Sequence, residues 1–199
     1  MGLKSLFNPL GVSSLPYSTG TILYEANGAT EKTQWLELPQ GIYELTACGA
    51  GGYSAAHVNM YNVMCYASGG SGGFAKVDIK IPKGKYLIFP GTTNVRDSGI
   101  LAEDGTEMFL SYNGGNAGGS GNLVNPVAGG AGGGVLYPCG FEEVYRYAWT
   151  AGNSGSSAIG STPAGGASVD PYLGYGKGCS AGANDTGTGY IKLVYKGKY

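Results

Sequence analysis

The sequence predicts an all-β protein, an antiparallel β-sandwich into which glycine-rich segments are packed. Three observations predict it. Short stretches alternate apolar and polar residues with the two-residue period of a half-buried strand. Turn residues, Pro-x-Gly and Asn-Gly above all, separate these stretches. Blocks dense in glycine, around 49–52, 69–73, 113–134, 152–166 and 174–189, interrupt the strands, and glycine supplies 39 of the 199 residues. A glycine inside a regular element costs about 0.5–1 kcal/mol relative to alanine. A folded chain with this many must therefore use backbone without side chains as a building material.

The strand candidates follow one another along the chain. Thr21–Glu25 (TILYE) and Thr33–Leu38 (TQWLEL), with Asn27-Gly28 between them, read as a hairpin-like pair of short strands. Pro39-Gln40-Gly41 then breaks the chain before Gly41–Cys48, where Tyr43, Leu45 and Ala47 alternate with Glu44 and Thr46. Tyr53–Ala67 is unlike its surroundings, with three tyrosines, two methionines and the single histidine, and reads as a short helix or a loop. Phe74–Ile81 is the clearest strand: Ala75, Val77, Ile79 and Ile81 make one face, Lys76, Asp78 and Lys80 the other. Lys85–Gly91 and Glu107–Tyr112 continue the pattern, the second ending at Asn113-Gly114. Val135–Thr150 concentrates aromatics again and reads as an insertion. The closing Tyr190–Lys196 alternates Ile191, Leu193 and Tyr195 with lysines, and would finish a sheet begun near the N-terminus.

Composition bounds the function. With 42% hydrophobic residues, 13% charged and a net charge of −1, nothing steers the chain toward nucleic acid or an anionic membrane surface. Sixteen tyrosines, five phenylalanines and two tryptophans supply a core that a disordered glycine-rich chain lacks. The length suits one domain, residues 21–199, preceded by an extended arm over residues 1–20 with Pro9, Pro16 and no sustained period. The opening residues lack the apolar run of a signal peptide, and no stretch reaches the roughly 20 apolar residues of a membrane span. Cys48, Cys65, Cys139 and Cys179 lie far apart without C-x-x-C spacing, so buried free thiols are expected rather than a zinc knuckle or a redox pair.

Mainly glycine chain can adopt the extended polyproline II-type helix, with three residues per turn and no internal hydrogen bonds. Several such polyglycine II-type segments lying side by side satisfy one another's backbone groups because no Cβ keeps them apart. Flexible linker is the alternative. Apolar residues flanking the blocks, such as Leu123-Val124, Val127 and Val135-Leu136, favour the packed arrangement.

The order of motifs carries a resemblance. Trp35-Leu36-Glu37-Leu38-Pro39-Gln40-Gly41-Ile42-Tyr43 leads to Gly49-Ala50-Gly51-Gly52. Gly69–Lys76 leads to Ile81-Pro82-Lys83-Gly84-Lys85-Tyr86, then to Gly114–Gly119 and a closing Gly-Tyr-Ile-x-Leu strand. This order, with its two Pro-x-Gly-x-Tyr turns, resembles the glycine-rich domain of bacteriophage tail fibres and adhesins, and a similar domain in the ectodomain of the anaplastic lymphoma kinase receptor. The resemblance spans about residues 21–196. It implies a jelly-roll-like sandwich carrying packed glycine helices, a place on the virion, and host attachment or receptor binding without catalysis or cofactor. The arm, through Leu3, Leu6, Phe7 and Leu10, is then the candidate anchor to other virion proteins. The aromatic segments supply the candidate receptor contacts: Tyr53, His57, Tyr61 and Tyr66 from one, Tyr137, Phe141, Tyr145, Tyr147 and Trp149 from the other. Tyrosines on loops suit a bacterial surface glycan or outer protein, and equally suit covering a core edge or a subunit interface. A purely structural decoration or assembly-contact protein is the alternative reading, and a glycan depolymerase a third. Without heptads or a repetitive shaft, homo-oligomerisation stays open.

Catalytic motifs find little support. His57 stands alone without a nucleophile elbow. Gly70–Ala75 fits a loose dinucleotide pattern but leads into a strand, where a helix N-terminus is needed. Glu142-Glu143 and Asp97 with Glu103-Asp104 lack metal-ligand or glycosidase spacing and read as solvated loop charge. Asn184-Asp185-Thr186 is a glycosylation sequon that matters only in a secreted eukaryotic setting.

Overall fold

The computed structural model describes residues 17–30, 33–92, 97–117, 129–136, 140–183 and 186–199. Among them are no helices, and the strands form three antiparallel sheets. The first sheet has the order β1-β13-β3-β6-β11, from β1 (Ile22–Asn27), β13 (Tyr190–Gly197), β3 (Gly41–Cys48), β6 (Phe74–Ile81) and β11 (Glu142–Thr150). The second has the order β10-β9-β8-β7-β2, from β10 (Val135–Leu136), β9 (Glu107–Ser111), β8 (Ser98–Ala102), β7 (Gly84–Phe89) and β2 (Gln34–Leu38). A small third sheet runs β12-β5-β4, from β12 (Ser157–Ile159), β5 (Met64–Ala67) and β4 (Ala55–Val58).

The two large sheets pack face to face as a β-sandwich, and their alternation decides what lies inside. Tyr43, Leu45 and Ala47 of β3, Val77, Ile79 and Ile81 of β6, and Ile191, Leu193 and Tyr195 of β13 meet Ile88, Ile100 and Phe109 of the second sheet in one apolar cluster. Fully burying each large aliphatic or aromatic side chain contributes about 1.5–3 kcal/mol. The two Pro-x-Gly-x-Tyr turns share one device. The Tyr43 hydroxyl donates to the Pro39 carbonyl at 2.6 Å and the Tyr86 hydroxyl to the Pro82 carbonyl at 3.0 Å, so a buried ring enters the core with its polar tip satisfied. As expected, β13 completes the sheet begun by β1, pairing Tyr190 with Asn27 and Ile191 with Ala26.

Three expectations are corrected. β1 and β2 do not form a hairpin: β1 pairs with β13 and β2 with β7, in opposite sheets. The side chain of Asn27 accepts the N–H groups of Ala29 and Thr30, turning the chain out of the first sheet rather than back along it. Residues 53–67 are neither helix nor irregular loop but the β4–β5 hairpin. Within residues 135–150, β11 is no insertion: it is an edge strand of the first sheet, paired with β6 from Glu142 opposite Lys80 to Thr150 opposite Phe74.

The glycine blocks pack on one another around a hub, residues 68–73. Hub N–H groups donate to neighbours in a repeat of three: Ser68 and Ser71 to Ser156 and Asn153, Gly69 and Gly72 to Cys179 and Gly176, Gly70 and Gly73 to Gly115 and Tyr112, all at 2.8–3.0 Å. Hub carbonyls accept from three further segments: Ser68 and Ser71 from Gly130 and Gly133, Gly69 from Gly166, and Gly70 and Gly73 from Gly52 and Gly49, at 2.7–3.0 Å. Where the hub carries side chains they are hydroxyls. Ser68 Oγ accepts the N–H of Ser156 at 2.8 Å and Ser71 Oγ that of Asn153 at 2.7 Å, so fully buried serines answer backbone donors that would otherwise be orphaned. Two more buried serines tie the bundle to the sandwich: Ser111 Oγ accepts from Gly49 N–H and donates to the Gly73 carbonyl, and Ser98 Oγ accepts from Gly91 N–H and donates to the Cys48 carbonyl.

Candidate functional site

Two surfaces gather most of the exposed aromatics. The first is the β4–β5 hairpin, whose strands leave the glycine segment 49–52 and return to the hub at 68. Its tip is built by Asn59, a side chain only 8% exposed. Asn59 Oδ1 accepts the N–H groups of Tyr61 and Val63, each at 3.0 Å, and Asn62 takes the left-handed conformation at φ 60° that such a tight turn requires. With the turn's polar groups satisfied from within, the large side chains point out: Met60 is 60% and Tyr61 66% exposed, with Val58, Val63, Met64 and, on neighbouring β12, Ile159 also in solvent. Tyr53 lies at the base, 39% exposed, its N–H held by Asn116 Oδ1 at 2.9 Å and its carbonyl by Ala117 N–H. Tyr66 is half-buried on β5. His57 pairs with Cys65 across the hairpin, and both ring nitrogens are shut from solvent without a hydrogen-bond partner.

The second surface is the outer face of the first sheet. Tyr145 and Tyr147 of β11 stand edge to face at 4.7 Å, 58% and 46% exposed. The Tyr147 hydroxyl donates to Asp78 Oδ2 at 2.8 Å, and that hydrogen bond, with slight desolvation, raises its pKa. The Lys76 ammonium lies between two rings, 5.3 Å from Tyr147 and 5.3 Å from Tyr172, and forms an ion pair with Glu44 at 3.4 Å. Glu44 also pairs with Lys196 at 3.4 Å. Desolvation works against the Lys196 charge, but the carboxylates of Asp78 and Glu44 outweigh it and raise its pKa.

Beside Lys76 opens a cleft of about 210 Å³, lined by Glu44, Thr46, Lys76, Asp170, Tyr172, Leu173, Tyr190 and Lys192. One wall is a turn locked by Asp170, whose carboxylate accepts the N–H groups of Tyr172, Leu173 and Tyr175, leaving Tyr172 63% and Leu173 60% exposed. That turn covers a small apolar cluster on the sheet's outer face, where Cys48, Phe74 and Tyr190 are buried and Tyr175 stacks on Tyr190 at 4.8 Å with the rings 4° from parallel. The Tyr190 hydroxyl donates to Glu25 Oε1 at 2.7 Å, while burial first and that carboxylate second push its pKa up.

The structure thus sorts the aromatic candidates. Tyr53 and Tyr61 share the hairpin surface, and Tyr145 and Tyr147 the outer face of the first sheet. Phe141 is corrected: it is 6% exposed and packs against Tyr86 in the core. Trp149 is half-buried and meets Phe109 edge to face under the guanidinium of Arg146. Phe141, just before β11, and Trp149 on β11 both turn toward the apolar neighbours of the core. Tyr137, Leu3, Leu6, Phe7 and Leu10 lie outside the described residues. Sequence reasoning missed Tyr172, Leu173 and the charges they face. The signal was the Asp170-Pro171 turn followed by two exposed apolar side chains between glycines. Cys48, Cys65 and Cys179 are free and buried, as expected. Among the described residues no group of three His, Cys, Asp or Glu stands close enough to hold a metal ion. Comparison with known protein families finds no match, and comparison with curated proteins finds none either.

Proposed function

We propose that this chain is a virion attachment protein, a tail-fibre, spike or tail-tip adhesin that works without catalysis. Its glycine bundle, read as polyglycine II-type helices, serves as a rigid base for the β4–β5 hairpin. The single observation that carries the reading is the hairpin tip, where Asn59 fixes the turn and turns Met60 and Tyr61 into solvent above the hydrogen-bonded glycine segments. An exposed aromatic ring with little freedom to lose, beside an adaptable thioether, is what a contact surface needs. The motif order that resembles phage glycine-rich domains supplies the setting, with residues 1–20 as the anchor to other virion proteins and a bacterial surface glycan or outer protein as the target.

The test is saturable binding of fluorescently labelled protein to candidate bacterial hosts, against the double variant Met60→Ser, Tyr61→Ser. These side chains are exposed, so the variant folds, and the reading expects its binding to fall at least about tenfold, the loss of one interfacial hot spot. Saturable binding by the unaltered chain that the variant retains would reject the hairpin as the contact. A folded chain that binds no host would favour an assembly-contact role on the particle.

A further inference from the structure

We propose that the cleft beside Lys76 is a binding site for a single neutral hexopyranose ring. The site lies on a different sheet from the hairpin, and the inference does not rest on the attachment reading.

Size comes first. Pockets for drug-sized ligands run about 300–1,000 Å³, and this cleft of about 210 Å³ is below that range, on the scale of one sugar ring. Its aromatic wall is fixed before any ligand arrives. Three backbone hydrogen bonds to Asp170 lock the turn, Phe74 lies 6.1 Å behind the Tyr172 ring, and the Lys76 ammonium stands over it at 5.3 Å. A preset ring with most of its surface in solvent offers an apolar plane to the C–H face of a sugar at little entropic cost.

Charge then selects the class. The cleft holds two carboxylates, Glu44 and Asp170, and two ammonium groups, Lys76 and Lys192. Lys76 is matched by Glu44 at 3.4 Å and Lys192 by Glu25 at 3.4 Å, and Asp170 is occupied by backbone donors. An anionic ligand would meet Glu44 and Asp170, and a cationic one the two lysines. A neutral polyol suits both, because each hydroxyl donates to a carboxylate and accepts from an ammonium. Thr46 adds a further hydroxyl. The Tyr190 hydroxyl is engaged by Glu25, so Tyr190 serves as wall.

The experiment follows backbone amide shifts of Thr46, Tyr172 and Leu173 in the full chain during titration with methyl α-glucopyranoside, methyl β-galactopyranoside and N-acetylglucosamine. N-acetylneuraminic acid and glucosamine serve as the charged comparators. At least one neutral sugar is expected to saturate these shifts with a dissociation constant of about 1 mM, more tightly than either comparator. Tyr172→Ala should weaken it about tenfold, while Tyr61→Ser at the hairpin leaves it unchanged. Unsaturated shifts with all three neutral sugars, tighter binding of a charged comparator, or binding that survives Tyr172→Ala would each overturn the proposal.

Discussion

Replacing Gly70 with alanine puts the hub to the hardest test. Its N–H donates to Gly115 at 3.0 Å, its carbonyl accepts from Gly52 at 2.7 Å, and a Cβ built on it would meet the Ala131 carbonyl oxygen well inside the 3.0 Å that real Cβ atoms keep. The obstacle is backbone, so no rotamer change relieves it; a segment must move. Overpacking of this kind costs about 1–3 kcal/mol, and loosening two buried hydrogen bonds adds about 1 kcal/mol each. The sum, about 3–5 kcal/mol, is a large share of a stability of about 5–15 kcal/mol, and lowers the melting temperature by about 10 °C at this chain length. Gly134→Ala is the control. It belongs to a glycine run that looks no different in sequence, yet its Cβ would find only Tyr112 Cδ2, at an ordinary 3.7 Å. There the loss of unfolded-state freedom leaves stability unchanged or raised by about 0.4–1 kcal/mol. Urea unfolding followed by tryptophan fluorescence reads both, with Trp149 packed on Phe109 as a reporter. Equal midpoints for the two variants, or a Gly70→Ala midpoint at the level of the unaltered chain, would refute the packed bundle.

Three further outcomes follow from the same geometry. Ser71→Ala leaves the Asn153 N–H without its acceptor inside the bundle, and should cost about 1–3 kcal/mol in urea unfolding. Alkali should unfold the protein in a defined window: burial raises Tyr24 from an ordinary 10.0 to about 12, and Tyr43 and Tyr190 are also raised. Because these folded-state values lie above the unfolded one, their stabilisation is complete below about pH 10 and drains as pH climbs through 12; tyrosinate absorbance and circular dichroism should change together there. Cys48, Cys65 and Cys179 should resist a thiol reagent in the native protein and react on denaturation, Cys48 also because burial raises its thiol pKa; peptide mass spectrometry locates the labels.

Much of the sandwich was legible because β3, β6 and β13 each bury one face, and a two-residue alternation is what one-sided burial writes into sequence. β11 escaped for the opposite reason. It is an edge strand with register shifts between Glu143 and Tyr145 and between Arg146 and Ala148, so its exposed and covered residues fall out of alternation. The β4–β5 hairpin escaped because Asn59, and no Asn-Gly pair, makes its turn. For the candidate site, tyrosine enrichment singled out residues 135–150 but neither the strand they form nor which rings face out; Tyr147 and Trp149, two residues apart, end on opposite faces because of a bulge. The cleft was beyond reach, since Glu44, Lys76, Asp170 and Lys192 come from four distant stretches that meet only when β13 settles between β1 and β3.

The hub also dictates an order of assembly. Its donors and acceptors are met by segments scattered from Gly49 to Cys179, and β13 must slot between two strands made long before it. Loop closure of that span precedes any reward in contacts, which places such chains among slow folders, on timescales of milliseconds to seconds. At a synthesis rate of about 5–20 residues per second, the hub emerges many seconds before its last partners. Until then its hydrogen-bonding groups face water, and a nascent chain depends on the low stickiness of glycine and serine to reach completion unaggregated.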